Sequence, residues 1–350
     1  MGARFHGAVA AVCLRPRSIH RQLLVVFAWG LCGVTIWNIG ITIQSAYRQP
    51  QEATVGIGGP GGLDHPAALR HIAAAAGAVG GDMTLRALGR SRATAAVPRV
   101  VHVTWFYPAD TDFRFHQALC LLAVQRFFRP EKIYFWHDHK PSGPWWVFVR
   151  QSVAHLLLVP YERPKSVLNR TVTVPEHQSD VARLELLAEY GGLYLDLDVI
   201  VVRSLDSLLH HEVTLGAETP DMLGSGLILA RRNSSFIAQW RATYSSFDDR
   251  EWNYHSVVIP MRLARDHPDL VHVEWFSINR PNWFEREWLY GDGKLWDWSE
   301  NYAVHLWYRE HNIDYNPISI RTLNTTVGEI FRHIYYENSR ILPNDDDIRL

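Results

Sequence analysis

Cysteine is scarce in this chain of 350 residues. The three cysteines are Cys13, Cys32 and Cys120, and the first two lie in or before an apolar N-terminal segment. One cysteine therefore remains for the rest of the chain. This number excludes an internal disulfide framework and a zinc site built on cysteines in that part of the chain.

An excess of positive charge is also lacking, since the formal net charge is −1 at pH 7. Binding to nucleic acid requires a basic electrostatic field, so we expect no nucleic-acid partner. Residues 1–44 are an exception, with four arginines and no acidic residue. The composition, 47% hydrophobic and 20% charged, is otherwise typical of a globular protein.

Charged residues are absent from residues 23–43, LLVVFAWGLCGVTIWNIGITI. A helix of this length, rising about 1.5 Å per residue, spans roughly 30 Å and matches a bilayer core. The preceding arginines predict a cytosolic tail at residues 1–22 and a luminal C-terminal part, as in a single-pass type II membrane protein. The alternative is a cleaved signal peptide, but its apolar core is usually about 7–15 residues long. We expect a retained anchor.

Aromatic residues are missing between Tyr47 and Trp105, and residues 44–97 are rich in glycine and alanine. Such a segment cannot bury enough surface to offset its chain entropy, so it predicts a flexible stalk, with a short helix near residues 66–78. The main folded domain is expected at residues 98–350. Its Asn-x-Ser/Thr triplets are potential N-glycosylation sites and suit a luminal location. They begin at Asn169, Asn233 and Asn324.

The predicted domain opens with an α/β pattern. A β-branched and aromatic run at 100–106, a helical stretch at 113–128 and a second strand at 132–136 predict a βαβ unit in a parallel sheet. Ligands of such sheets bind at the carboxyl ends of the strands. Trp105 lies at one of these ends. It is a candidate stacking surface for a nucleotide base, or alternatively a core aromatic residue.

A helix is predicted next, with Ser179 or Asp180 as its cap and Gly191-Gly192 as its end. Asp180 and Arg183 are three residues apart and share one helical face. They are candidate site residues; the alternatives are a capping role for Asp180 and a surface ion pair for Arg183. The apolar face of the helix is made by Val181, Leu184, Leu187 and Ala188.

Two carboxylates follow in a predicted strand at 193–202. Alternation places Tyr194, Asp196 and Asp198 on one face of this otherwise apolar strand. Burying two neighbouring carboxylates is costly unless a cation binds them, and their oxygens suit Mn²⁺ or Mg²⁺. Two further Asp-x-Asp triplets, at 110–112 and 345–347, are expected in solvated loops.

These residues resemble a known family, the DXD-containing sugar transferases. That family includes yeast α-1,6-mannosyltransferase, animal α-1,4-galactosyltransferase and the cores of clostridial glucosylating toxins. Its Ser-Asp-x-x-Arg and Gly-Gly-x-Tyr-x-Asp-x-Asp pattern is matched from Ser179 to Asp198. Its opening basic-Ile-Ile-His-x-Thr-Trp run resembles residues 99–105, and its closing Ala-x-His-x-Trp resembles residues 303–307. The likeness covers about residues 98–308.

The resemblance implies a GT-A-type nucleotide-sugar-binding sheet flanked by helices. It further implies a UDP- or GDP-sugar donor, Mn²⁺ or Mg²⁺, a glycan, glycolipid or glycoprotein acceptor, retention of anomeric configuration and a Golgi location. In this family the residues matching Asp180 and Arg183 hold the donor sugar. The implied nucleotide-sugar and metal residues are Trp105, Asp180, Arg183, Tyr194, Asp196, Asp198 and His305, with Ser225 where relatives carry an asparagine.

Two other functions stay open on the sequence alone. They are a metal-dependent phosphohydrolase and a non-catalytic sugar-binding protein. His305 is either part of the metal or phosphate shell or a satisfied core histidine. The six tryptophans between residues 275 and 307 either line an acceptor groove or pack in the core.

Overall fold

The structure is a computed structural model that describes residues 96–311 and 313–344. The predicted cytosolic tail, anchor and stalk helix all lie in residues 1–95, outside the described residues. Within the described ranges, no helix is both long enough and apolar enough to cross a bilayer. The chain divides into two compact units, 1–63 and 64–350, and every described residue belongs to the second.

The strands alternate with helices through the first half of the described chain. The strands are β1 Val100–Trp105, β2 Lys132–His137, β3 Leu156–Pro160, β4 Ser166–Val167, β5 Arg170–Thr171, β6 Gly192–Leu195, β7 Val199–Val201, β8 Val213–Thr219, β9 Met222–Ala230, β10 His272–Glu274 and β11 Ala303–His305. The α-helices are α1 Phe115–Phe127, α2 Pro144–Ser152, α3 Pro175–Tyr190, α4 Ser235–Thr243, α5 Ile259–Asp266, α6 Glu287–Tyr290, α7 Pro317–Ile320 and α8 Thr326–Tyr335.

Seven strands form a central sheet in the order β10-β8-β9-β6-β1-β2-β3. Strands β6, β1, β2 and β3 are parallel, which confirms the predicted βαβ unit. Strand β9, however, runs antiparallel to both of its neighbours, β6 and β8. The sheet is therefore mixed rather than parallel. The reason is that β8 and β9 are joined by a tight hairpin, which forces the antiparallel pairing.

Helices cover both faces of this sheet, as the alternation of side chains along β6 shows. Leu193 and Leu195 pack in a core with apolar residues of α1 and α2. Tyr194, between them, faces the opposite core with residues of α3, α4 and α5. The predicted α/β class, a sheet flanked by helices, is confirmed. In this arrangement the carboxyl end of β6 lies between the two apolar layers.

Candidate active site

Helix α3 carries Asp180 and Arg183, but it begins earlier than the sequence suggested. Its first residue is Pro175, and Val174 is its N-cap. Proline fits the first turn because its ring fixes φ and that position needs no N–H donor. The prediction that Ser179 or Asp180 caps the helix is therefore wrong. Asp180 lies in the second turn, buried and 7% exposed.

The predicted helix end and apolar face are confirmed. Helix α3 ends at Tyr190, and Gly191 and Gly192 follow with φ values of 65° and 104°. A Cβ atom on Gly192 would lie 2.5 Å from the carbonyl oxygen of Val100. The double glycine is thus required both by the left-handed backbone and by close contact with β1.

The two carboxylates lie in a turn rather than within a continuous strand. Strand β6 ends at Leu195, and β7 begins at Val199. Strand β7 leaves the central sheet and pairs with β11, with Val199 opposite His305. The prediction of one strand over 193–202 is therefore wrong. The break has a consequence for the site, because the pairing of β7 with β11 brings His305 beside Asp198.

Arg183 is the centre of a buried ionic cluster. Its Nη1 atom lies 3.1 Å from Asp180 Oδ1 and donates to the Ser225 carbonyl and hydroxyl at 2.9 and 2.5 Å. Its Nη2 atom lies 3.3 Å from Asp196 Oδ1, and its guanidinium stacks over the Tyr194 ring at 4.6 Å. Arg183 is 5% exposed, so it is not a surface residue. Ser225, whose role the sequence left open, is a hydrogen-bond partner of this arginine.

Tyr194 and Asp196 complete the same cluster. The Tyr194 hydroxyl donates to Asp196 Oδ1 at 2.9 Å and lies 2.9 Å from the Thr104 hydroxyl. Burial raises the pKa of Asp196, and Asp198 adds to that effect, while Arg183 opposes it. Burial likewise raises the pKa of Asp180 against the effect of Arg183. The cluster therefore holds the carboxylates of Asp180 and Asp196 where burial disfavours their charged forms.

His305 and Asp198 form a second ion pair beside this cluster. The Nε2 atom of His305 lies 3.3 Å from Asp198 Oδ1, and the Tyr308 N–H donates to Asp198 Oδ2 at 3.2 Å. Burial raises the pKa of Asp198, but the charge and hydrogen bond of His305 outweigh it and lower the pKa to about 2. Against the effect of burial, Asp198 raises the pKa of His305.

His305 differs from a satisfied core histidine. Its ring stacks on Trp307 at 3.7 Å, and its second nitrogen, Nδ1, is buried without a hydrogen-bond partner. A Cβ atom on Gly226 would lie 3.5 Å from His305 Cε1 and 3.1 Å from Asp196 Oδ2. A side chain at position 226 would therefore crowd Asp196, and glycine lets β9 pass close to these two groups.

Asp196, Asp198 and His305 supply hard oxygen and imidazole donors, a set that suits Mn²⁺ or Mg²⁺ better than softer ions. The three are not arranged as a preformed metal site. Within the described residues, no group of three or more histidine, cysteine, aspartate or glutamate side chains is close enough to hold a metal ion. The reason is that Asp198 and His305 are paired with each other, while Asp196 faces Arg183 and Tyr194. The three residues therefore suit a divalent cation in their donor atoms and in their location, but not in their present arrangement.

Trp105 is fully buried, with no exposed surface, which differs from its predicted place at the mouth of the site. Its ring packs against Phe113 at 5.2 Å and Phe135 at 6.2 Å. Tyr107, two residues later, lies 4.3 Å from the Trp105 ring and is 43% exposed. Partial burial of the Tyr107 side chain, together with the charges of Asp198 and Asp196, raises its pKa. The ring that borders the carboxylates at the surface is therefore that of Tyr107.

The tryptophan-rich segment is not a core element, since none of its six indoles is fully buried. Trp275, Trp283 and Trp288 are 47%, 36% and 46% exposed. Trp307 connects the segment to the site, because it stacks on His305 and donates through Nε1 to the Pro281 carbonyl. Core packing alone does not account for these residues.

The remaining predicted positions lie where the sequence placed them. The look-alike carboxylates Asp110 and Asp112 are exposed, whereas residues 345–347 lie outside the described ranges. Asn169, Asn233 and Asn324 are exposed, as an acceptor of a glycan must be, and their modification stays a prediction.

Sequence reasoning missed Glu218 and Asn279, which border the same site. A Cβ atom on Gly224 would lie 2.8 Å from Glu218 Oε1 and 2.5 Å from Asn279 Nδ2. Burial raises the pKa of Glu218 to about 7. One signal for Glu218 was present: it lies near the carboxyl end of a largely apolar strand, as Asp196 does.

Comparison with known proteins agrees with this geometry. The family described as "Glycosyltransferase sugar-binding region containing DXD motif" matches residues 111–215. Glucan organizing enzyme 1 of Cryptococcus neoformans is 39% identical over 155 residues, which cover 41% of this chain and 42% of that protein. Inositol phosphoceramide mannosyltransferase 3 of Schizosaccharomyces pombe is 24% identical over 168 residues, 47% of this chain and 41% of that protein.

The chain thus matches under half the length of each of these relatives. A solved structure, the PaToxG glycosyltransferase, is 12% identical with a TM-score of 0.38, and covers 49% of this chain and 71% of its own. That likeness is too slight to argue from. The matched region contains Asp180, Arg183 and the Asp196–Asp198 turn, and this turn carries an Asp-x-Asp triplet, the motif named in the family description. Residues 111–215 are therefore similar to the sugar-binding region of DXD-containing glycosyltransferases.

Proposed function

We propose that this protein is a glycosyltransferase that moves a hexose from a UDP- or GDP-sugar to a hydroxyl group of a glycan, glycolipid or glycoprotein. The observation that carries the proposal is the convergence of Asp196, Asp198, Arg183 and His305 at the carboxyl end of β6. Ligands of α/β sheets bind at this position. Two relatives with matching segments are named as carbohydrate-active enzymes, a glucan organizing enzyme and a mannosyltransferase.

In this proposal Asp196, Asp198 and His305 hold Mn²⁺ or Mg²⁺. The cation supplies charge neutralisation for a diphosphate leaving group. In the metal-free protein a protonated His305 pairs with Asp198, and metal binding in general displaces such protons. The buried setting of the two aspartates strengthens their attraction for a cation, because a low dielectric screens charge poorly.

Arg183 has a separate part in the mechanism. It orients Asp196 through Nη2 and fixes Ser225 through Nη1, so these groups are held ready before the substrate arrives. Its partner Asp180 accepts hydroxyl groups of the donor sugar. The apolar residues packed on both sides of β6 exclude water, which protects the donor from hydrolysis. Retention of anomeric configuration is part of the proposal on the strength of the family resemblance.

Donor turnover by the full-length protein in detergent tests this function. UDP-glucose, UDP-galactose and GDP-mannose are supplied with Mn²⁺, and release of UDP or GDP is measured with and without a chelator. We expect release from at least one donor, lost on chelation and restored by Mn²⁺. No release from any donor overturns the transferase assignment, and release that the chelator leaves unchanged overturns the metal assignment.

We further propose a Golgi location, with residues 23–43 as the anchor and the described residues in the lumen. This orientation is consistent with the exposure of Asn169, Asn233 and Asn324. Carbonate extraction and protease protection of the full-length protein test it. A soluble, N-terminally trimmed product would contradict the anchor.

A further inference from the structure

An exposed ion pair joins two segments that border the candidate active site. Glu176 lies in the first turn of α3, and Arg309 lies in the short 3₁₀ turn Tyr308–Glu310, which follows His305 by a few residues. The Nη1 atom of Arg309 lies 3.0 Å from Glu176 Oε1. The two side chains are 66% and 49% exposed, so a ligand that reaches the site from solvent can contact either of them.

Glu176 belongs to the face of α3 that carries Asp180. The two residues are four positions apart in the helix, so they are neighbours on one face. Burial raises the pKa of Asp180, and the charge of Glu176 adds to that effect. Partial burial also raises the pKa of Tyr107, to which the charges of the Asp196–Asp198 turn and of Glu176 contribute. Glu176 therefore lies close to the carboxylates of the site.

The backbone before Arg309 is fixed on Asp198. The Leu306 N–H donates to the Asp198 carbonyl at 2.8 Å, and the Tyr308 N–H donates to its carboxylate at 3.2 Å. Between them, Trp307 has a φ of 51° and a ψ of 42°, in the left-handed region. Residues other than glycine adopt this conformation at a cost, and such residues cluster at functional sites. Arg309 therefore extends from a backbone that is held beside the proposed metal ligand.

A third contact orders the guanidinium of Arg309 without using its donors. The guanidinium carbon lies 4.4 Å from the centre of the Trp252 ring, which is 38% exposed. Stacking of this kind restricts the plane of the guanidinium and leaves its N–H groups free to bind acceptors. Among the described residues, Glu176 is the one hydrogen-bond acceptor of this side chain, and only Nη1 contacts it. The other N–H groups of Arg309 are available to a ligand.

The charges of the site indicate what that ligand is. The diphosphate of a nucleotide sugar carries two negative charges and Asp196 and Asp198 carry two more, whereas one divalent cation supplies only two positive charges. When the bond from the sugar C1 to the phosphate oxygen breaks, its electron pair stays on that oxygen and adds a further negative charge. Arg183 is buried, and both of its terminal nitrogens already have protein partners. Arg309 is exposed, and its planar fork of donors matches phosphate oxygens.

We propose that Arg309 exchanges partners during turnover: it pairs with Glu176 in the free protein and binds the donor diphosphate in the complex. The proposal rests on the glycosyltransferase function and adds a donor-contacting residue and its competitor to it. Little is lost when the pair separates, because exposed ion pairs contribute little to stability. The freed Glu176 stays in solvent in the first turn of a helix, where the helix dipole favours a negative charge. Glu176 therefore competes with the donor for Arg309.

A double-mutant cycle tests the exchange. Full-length wild-type protein, Arg309→Gln, Glu176→Gln and the double variant are titrated calorimetrically with UDP and GDP in the presence of Mn²⁺. We expect Arg309→Gln to weaken binding of the nucleotide that the wild type prefers about 10-fold, the usual effect of losing a hydrogen bond to a charged group. Glu176→Gln should strengthen binding about 3-fold, because the competing carboxylate is gone. The double variant should bind as weakly as Arg309→Gln alone.

The chain offers a matched control at the opposite end of the same helix. Glu189, in the last turn of α3, pairs with Arg232 at 3.2 Å, and the two side chains are 50% and 60% exposed. Arg232→Gln and Glu189→Gln make the same changes of charge in a pair of similar exposure. They should leave the affinity for UDP and GDP unchanged. The melting temperatures of all these variants should match that of wild type, because the substituted side chains are exposed.

The other outcomes overturn the exchange. Unchanged affinity in Arg309→Gln, or no gain in Glu176→Gln, does so, while donor turnover by the wild type still supports the transferase function. An equal gain from Glu176→Gln with and without Arg309 also does so, because it indicates a general electrostatic effect. The same holds if Arg232→Gln weakens binding as much as Arg309→Gln. If the wild type binds neither UDP nor GDP and turns over no donor, the proposed function fails, and the exchange fails with it.

Discussion

The two halves of the site differ in how their polar groups are satisfied. We call Asp180, Arg183 and Ser225 the arginine cluster. We call Asp198, His305 and Glu218 the histidine pocket. In the arginine cluster both terminal nitrogens of Arg183 have protein partners. In the histidine pocket the His305 Nδ1 atom is buried without a hydrogen-bond partner.

This contrast separates scaffold from binding surface. Pairing within the protein offsets much of the cost of burying these groups, and the paired groups hold the aspartates in place. Burying a polar group that has no hydrogen-bond partner costs free energy, and a ligand that bonds to this group removes part of that cost. Substitutions in the arginine cluster should therefore reduce both activity and stability, whereas those in the histidine pocket should mainly reduce ligand binding and turnover.

The largest effect is expected at Asp198, in the histidine pocket. Asp198→Asn should lower donor turnover about 1,000-fold, because a neutral amide is a poor ligand for a hard cation. Loss of the ion pair with His305 should lower the free energy of unfolding by only about 1 kcal/mol. Asp110→Asn, in the exposed look-alike triplet, is the control and should change neither quantity. Turnover and urea unfolding measured on both variants check this; near-normal turnover of Asp198→Asn would contradict it.

Arg183→Lys is the corresponding change in the arginine cluster. Lysine keeps the charge but cannot contact Asp180, Ser225 and Asp196 together. We expect turnover to fall about 100-fold, since small displacements of catalytic groups have effects of this size. The free energy of unfolding should also fall, by about 2 kcal/mol, because a buried carboxylate loses its partner. A variant with normal stability and low turnover would show that Arg183 acts only on the substrate.

How far the sequence predicts this site depends on whether local signals or tertiary pairing place each residue. The end of α3 at Gly191-Gly192 was predictable because glycine is a strong local signal. The predicted start of α3 was too late, because Ser179 and Asp180 are typical N-cap residues, whereas the true start is marked by Pro175 at the first helical position.

The turn at Asp196–Asp198 was not predictable from alternation, which continues through it without interruption. The turn forms because β7 pairs with β11, about a hundred residues later in the chain. The same long-range pairing places His305, so only the family resemblance indicated that residue. Glu218 was missed for a related reason. It lies at a register shift between β8 and β9, and such a bulge is a property of two paired strands that leaves little trace in one of them.

A smaller effect distinguishes the two aromatic rings at the end of β1. Tyr107→Ala should weaken UDP or GDP binding about 10-fold if the exposed ring stacks on the base, with little change in stability. Trp105→Phe should do the opposite, lowering the free energy of unfolding by about 1–2 kcal/mol through lost core packing. Calorimetric titration and urea unfolding of both variants separate the roles. If Trp105→Phe weakens nucleotide binding and Tyr107→Ala does not, then Trp105 is the stacking residue.

The smallest expected effect is a pH dependence of stability caused by the Asp198–His305 pair. The pKa of Asp198 is lowered from 3.8 to about 2, so its contribution is present above about pH 4 and is lost as the pH falls toward 2. The pKa of His305 is raised above 6.5, so its contribution is present below that pH and is lost as the pH rises through the raised value. The pair should therefore stabilise the metal-free protein most between about pH 4 and pH 6.5.

The difference in unfolding free energy between wild type and His305→Gln isolates this contribution. Measured by urea unfolding with a chelator present, it should be about 1 kcal/mol near pH 5.5 and should shrink toward pH 9. Asp198→Asn should show the same dependence, because either change removes the same pair. Added Mn²⁺ should reverse the trend in wild type, since a cation binds the deprotonated imidazole and its affinity rises with pH. A difference that stays constant from pH 5 to pH 9 would mean that His305 carries no proton in the folded protein, and the proposed exchange of that proton for a cation would then be wrong.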